Sequence, residues 1–156
     1  MGENPFMRQA IDLAAENVRS GRGGPFGALI VRDGALVASG TNLVTASKDP
    51  TAHAEIVAIR NACAALGAFH LTGCEIFASC EPCPMCLGAI YWARLSRVTF
   101  GCTHKDAAEA GFDDSFIYSQ FRVSGAERRI PMSGLMREEA LECFREWERK
   151  TDRIAY

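Results

Sequence analysis

The chain has 156 residues, 48% of them apolar and 23% charged, with a formal net charge of −2. That balance fits one domain able to bury a core. It carries no Lys/Arg run of the kind that grips a phosphate backbone. No stretch approaches the roughly 20 apolar residues needed to span a bilayer.

Met1 to Arg8 holds Glu3 and Arg8 and is no signal-peptide core. Phe6, Ala10, Leu13, Ala14 and Val18 recur at helical spacing and predict a helix from about Pro5 to Ser20. Gly21-Arg22-Gly23-Gly24-Pro25 stops it. Ala28 to Val31 and Leu36 to Ser39 flank Asp33-Gly34, a type I′ turn signal, and predict a hairpin. Asp49-Pro50-Thr51 is expected to open a second helix with an inward stripe of Ile56, Ile59, Cys63 and Leu66, ending at Gly67.

Ile76 to Ala78 reads as a short buried strand, Cys83 to Ala93 as a helix entered through Pro82, and Val98 to Phe100 as another strand closed by Gly101. Beyond it, Asp106 to Ala110 suggests a helical turn. Leu135 to Arg149 suggests a helix with Leu141, Phe144 and Trp147 inward, before a charged tail. Helices alternating with strands in this order predict a layered α/β domain over residues 1–156. Seven cysteines, an odd count without a leader, point to a reducing cytoplasm. Cys63, Cys74, Cys102 and Cys143 are expected to be reduced and mostly buried.

The chemistry concentrates in His53-Ala54-Glu55 and Pro82-Cys83-Pro84-Met85-Cys86. One imidazole and two thiols offer a metal three donors. Zinc takes four ligands, so one position stays open for water, as in catalytic sites. The pattern H-x-E followed by P-C-x-x-C is the signature of zinc-dependent nucleobase deaminases. Both donor pairs sit where helices begin, and a helix N-terminus favours thiolate over thiol. Two thiolates cancel the charge of Zn²⁺ and soften it as a Lewis acid, so a nearby base is useful. Glu55 is expected to take a proton from water at the open position, pass it to a ring nitrogen and then deliver one to departing ammonia. Two other readings use Cys80. Cys80, Cys83 and Cys86 with His53 would make a closed structural zinc site in a partner-binding module, which leaves Glu55 unexplained. An iron–sulfur motif would need a fourth cysteine where Ile90 stands.

Gly24-Pro25-Phe26-Gly27, the run from Asp49 to Glu55, the run from Ser79 to Cys86 and the run from Ala108 to Ser115 together resemble the bacterial guanine deaminases of the cytidine deaminase-like superfamily. The likeness extends over nearly the whole chain. It implies a three-layer α/β/α fold with a five-stranded mixed sheet, one Zn²⁺ per subunit on His53, Cys83 and Cys86, and hydrolysis of guanine to xanthine and ammonia in purine catabolism or salvage. It further implies that Asn42 reads the purine edge, where the alternative is a turn residue, and that Phe26 lies against the base, where the alternative is simple core. The Ala54 amide is suited to a substrate acceptor. Trp92 either walls the pocket or packs at a subunit contact. Of the adjacent pair Asp113 and Asp114, the resemblance selects Asp114 to face substrate and share in proton transfer. The same resemblance implies a homodimer that exchanges the C-terminal segment (about 120–156), with Tyr156 closing the partner's pocket. His70 reads as a boundary residue and His104 as structural. The rival substrates are a tRNA adenosine, cytosine and aminotriazines. Asp106, Glu109, Asp113 and Asp114 would repel the phosphates of the first.

Overall fold

The computed structural model describes residues 4–156; Glu3, part of the N-terminus read above, lies outside them. The chain forms two compact units, one running to Asp114 and the other from Ser115 to Tyr156. Among the described residues no helix is long and apolar enough to cross a membrane.

Helix α1 (Pro5–Arg19) starts at Asn4, whose side chain accepts the amides of Phe6 and Met7 at 3.0 Å each. Such a cap contributes about 1 kcal/mol. Its buried face is Ala10, Ala14 and Asn17, while Val18, expected inward, is 51% exposed. A polar residue holds the inward position because it has backbone carbonyls to serve there. Strands β1 (Gly27–Arg32) and β2 (Ala35–Thr41) form the expected hairpin, longer at both ends than the alternation suggested. Asp33 (φ 51°) and Gly34 (φ 74°) supply the two positive φ angles that a type I′ turn needs.

A one-turn helix, α2 (Val44–Ser47), follows without a clear signal in the sequence. Asp49 then does not open a helix as expected. Its carboxylate accepts from the backbone amide of Thr51 at 2.8 Å and its hydroxyl at 2.7 Å, a local turn that competes with helix. Helix α3 (Ala54–Leu66) begins only after His53 and ends at Gly67 in the left-handed conformation. Of the expected stripe Ile56 is buried, Ile59 and Cys63 pack against the core in part and Leu66 is 38% exposed, while Ala54, Ala58 and Ala62 are the most deeply buried. The reason is a close approach: a Cβ on Gly40 of β2 would lie 2.3 Å from the Ala54 carbonyl oxygen and 2.4 Å from the Ala58 nitrogen.

Strand β3 (Cys74–Cys80), helix α4 (Pro84–Trp92) and strand β4 (Arg97–Cys102) complete the sheet. The order is β2-β1-β3-β4, with β1 antiparallel to both neighbours and β3 parallel to β4. Among the described residues the sheet has four strands, which corrects the five implied by resemblance. After β4 the chain turns helical: Thr103 and Asp106 form a capping box for α5 (His104–Glu109). No alternating or β-branched run follows to supply another strand.

The three expected layers are present. Leu29, Val31 and Phe77 pack on Ala10, with Phe6, Met7 and Leu13 of α1 against them. On the opposite face Ala28, Ile30, Cys74 and Ile76 pack with Ala54, Ala58 and Ala62 of α3 and Ile90 of α4. Burying each large aliphatic side chain here stabilises the fold by about 1.5–3 kcal/mol. Cys74 is buried, but Cys102 and Cys143 are exposed and Cys63 is half-buried, so most of these thiols are not core residues. Cys102 falls on the edge strand and Cys143 on a helix without buried residues.

The second unit holds α6 (Ser115–Phe121), a 3-10 turn (Gly125–Glu127) and α7 (Arg137–Arg149). Gln120 ties it together, its carbonyl oxygen accepting from Arg128 and its side-chain oxygen from the Arg129 amide. The expected inward face of α7 is not buried: Phe144 is 66% and Trp147 40% exposed. Leu141, the third residue of that face, is half-buried.

Candidate active site

His53 and Cys83 occupy equivalent positions, each the last extended residue before a helix: His53 (ψ 157°) before α3 and Cys83 (ψ 169°) before α4. Cys86 lies one turn into α4 and is fully buried. The two helix starts face each other, so His53 Nδ1 stands 3.6 Å from Cys83 Sγ and 3.5 Å from Cys86 Sγ. All three donor atoms fall within 4.8 Å of one another. Tetrahedral zinc with ordinary Zn–N and Zn–S bond lengths requires N···S separations of about 3.6 Å. The donors therefore fit zinc in both chemistry and spacing. Cys80 is not among them; its thiol points to the Thr103 carbonyl oxygen at 3.6 Å.

A hydrogen bond from the Cys86 thiol, aided by His53, pulls the Cys83 thiol down to about 4. The same bond, together with burial, pushes the Cys86 thiol well up. Hydrogen bonding to Cys83 raises the His53 imidazole.

Glu55 sits at the second position of α3, 7% exposed, beside these donors. Burial raises its carboxyl above the usual range, and the Cys83 thiolate adds to the effect. A carboxyl raised in this way is suited to both take and give a proton. Ala54, whose amide belongs to the same helix start, is 1% exposed.

Asn42 follows β2 and is 8% exposed. Its amide donates to the Phe26 carbonyl oxygen at 3.1 Å, and its side-chain oxygen accepts from Val44 at 3.3 Å. Phe26 is half-buried and meets Phe112 edge-on, with ring centroids 5.0 Å apart. Phe112 was not singled out by sequence. The pair lines an apolar cavity of about 140 Å³ together with Cys80 and Cys102, and none of the three metal donors lines it.

Asp114 is half-buried and Asp113 exposed. Burial first, then the charge of the Cys83 thiolate, raises the Asp114 carboxyl, while His104 opposes. Asp114 therefore lies within the field of the metal donors. His104 is itself anchored: Glu81 accepts from its backbone amide at 3.0 Å and from its ring Nδ1–H at 2.8 Å. Glu81, lying between the strand and Pro82, is a residue the sequence reading passed over. Trp92, at the far end of α4, is 71% exposed. Tyr156 belongs to the second unit and is 76% exposed there.

Residues 2–102 match the family model described as the cytidine and deoxycytidylate deaminase zinc-binding region. The chain is 53% identical over its full length to the guanine deaminase of Bacillus subtilis (strain 168), covering all of both chains. The X-ray structure of guanine deaminase from Bacillus subtilis superposes with a TM-score of 0.96 at 52% identity, covering 100% of this chain and 99% of that one. The tRNA-specific adenosine deaminase of Aquifex aeolicus is 39% identical over 67% of this chain and 69% of its own. Three soft donors at zinc spacing, a buried carboxyl beside them and a match across more than half the chain lead to one assignment. The chain belongs to the cytidine and deoxycytidylate deaminase family of zinc-binding proteins.

Proposed function

We propose that this chain catalyses the hydrolysis of guanine to xanthine and ammonia. The observation that carries the reading is the three-donor cluster with Glu55 buried beside it, in a chain that corresponds end to end to a guanine deaminase. The likeness to tRNA adenosine deaminase covers only 67% of the chain.

His53, Cys83 and Cys86 would hold the metal, which when bound would supply the electrophilic activation that makes water nucleophilic at neutral pH. Glu55 takes one proton from the attacking water and gives it to a ring nitrogen, then takes the remaining hydroxyl proton and delivers it to the departing amine, so that the C–N bond breaks as the carbonyl forms and ammonia leaves. Guanine presents a ring N–H and an exocyclic amine along one edge. Asp114 accepts from that edge and shares in proton transfer, while the Asn42 amide and the Ala54 N–H address purine acceptors. Phe26 lies against the ring, and its edge-on contact with Phe112 supports such a wall.

The proposed assembly is a homodimer in the cytoplasm whose C-terminal segment (about 120–156) crosses to the partner, bringing Tyr156 over its pocket. Exposed apolar side chains support a further covering surface: Tyr91 and Trp92 on α4, Phe144 and Trp147 on α7. Trp92 is then a contact between subunits or a pocket wall.

The test is an ammonia-release screen over guanine, adenine, cytosine, cytidine, guanosine, an aminotriazine and tRNA, with and without chelator. Xanthine from guanine, abolished by chelation, is the expected result. Preference for tRNA, or no turnover by zinc-loaded protein, overturns the reading.

A further inference from the structure

Asn17 is the one fully buried polar side chain of α1, 0% exposed, with alanines at the other buried positions. Its side-chain amide donates to two carbonyl oxygens from segments far apart in sequence: Gly24 at 2.9 Å and Asn42 at 2.8 Å. Gly24 begins the turn that carries Phe26, and Asn42 is the residue assigned to the purine edge. The Asn42 amide in turn donates to the Phe26 carbonyl oxygen, closing a ring of contacts. Gly23 permits the approach, since a Cβ there would fall 2.2 Å from the Asn42 carbonyl oxygen and 3.0 Å from Asn17 Nδ2.

The helix end is held as well. The Asn17 carbonyl oxygen accepts from the Arg22 amide and the Ser20 hydroxyl, both at 3.2 Å. Asn17 Oδ1 is buried without a hydrogen-bond partner, a cost that a leucine at this apolar position would not carry. The two donated bonds are what the asparagine offers in return.

We infer that Asn17 is a positioning residue for substrate: it clamps the Asn42 and Phe26 segments together so that both meet the purine in one fixed geometry. This rests on the deaminase reading above. The clamp's own hydrogen bonds run to Gly24 and Asn42, and its link toward the donors is indirect, through the Leu43 amide on the Ala52 carbonyl oxygen, so its loss acts first on substrate placement.

The test compares Asn17→Leu and Asn17→Asp with the zinc-loaded wild type on guanine. Aspartate keeps the shape and, ionised or protonated, loses at least one of the two donated bonds, so it serves if leucine impairs folding. The expected result is a KM raised about tenfold, the worth of one buried hydrogen bond, with kcat within about threefold and metal content unchanged. In an Asn17→Asp/Asn42→Ala double variant the rise in KM should fall clearly short of the product of the two single effects, because part of the first change acts through the second residue. Unchanged KM, fully additive effects, or a loss that tracks metal content would overturn the inference. A wild type inert towards guanine would refute the substrate reading separately. The backbone amide resonance of Leu43, whose peptide contains the Asn42 carbonyl, then decides the clamp: a shift in Asn17→Asp sustains it, and an unmoved signal overturns it.

Discussion

Replacing Glu55 by glutamine separates proton carriage from metal binding and from folding. Glutamine matches the shape of glutamate but cannot shuttle a proton. Glu55 is 7% exposed, and the three metal donors do not include it, so they should remain in place. Losing a positioned general acid/base lowers turnover by about 10²–10⁴, or roughly 3–5 kcal/mol of barrier. Stability should move the other way. Burial is the main reason the Glu55 carboxyl is raised, so the fold disfavours its charged form. A neutral amide removes that cost, and Tm should hold or rise. Steady-state ammonia release, metal content by mass spectrometry and a thermal melt measure the three quantities on one sample. Turnover within about threefold of wild type, or zinc lost in step with activity, would refute the role of Glu55.

Gly40→Ala forces a methyl group against the backbone of α3, and the resulting overpacking should cost at least about 2 kcal/mol in urea unfolding; a change below about 0.5 kcal/mol would mean the helix yields easily. Cys80→Ser should keep a full complement of zinc, since its thiol points to Thr103 and not to the donors; metal loss measured after dialysis would revive a closed four-ligand site. Asp114→Asn should lower kcat/KM by about a hundredfold, in the range for positioned acid–base groups, while Asp113→Asn stays within about threefold. Equal effects in the steady-state assay would show that partial burial does not distinguish the two carboxylates.

Local pattern was enough for the chemistry of this chain. The donors and Glu55 lie in two short motifs, each at a helix start, and neighbours in sequence are neighbours in space there. The hairpin was legible for the same reason, because Asp33-Gly34 states its own turn geometry. The family likeness overstated the sheet by one strand, whereas the strands read from the residues themselves number the same four that fold.

What tertiary structure decided depends on distance. Which face of α3 turns inward was settled by Gly40, far away in sequence, whose missing side chain lets backbone meet backbone and selects alanines over larger residues. Asn17 reads as a polar interruption of an apolar stripe until Gly24 and Asn42 are brought to it. Asp114 is half-buried and its neighbour Asp113 exposed, a difference that no local pattern in the sequence announces. Periodicity reports how a segment is amphipathic, and motif spacing reports which donors converge. Neither reports which distant carbonyl or charge a side chain will face, and that is what positions a substrate.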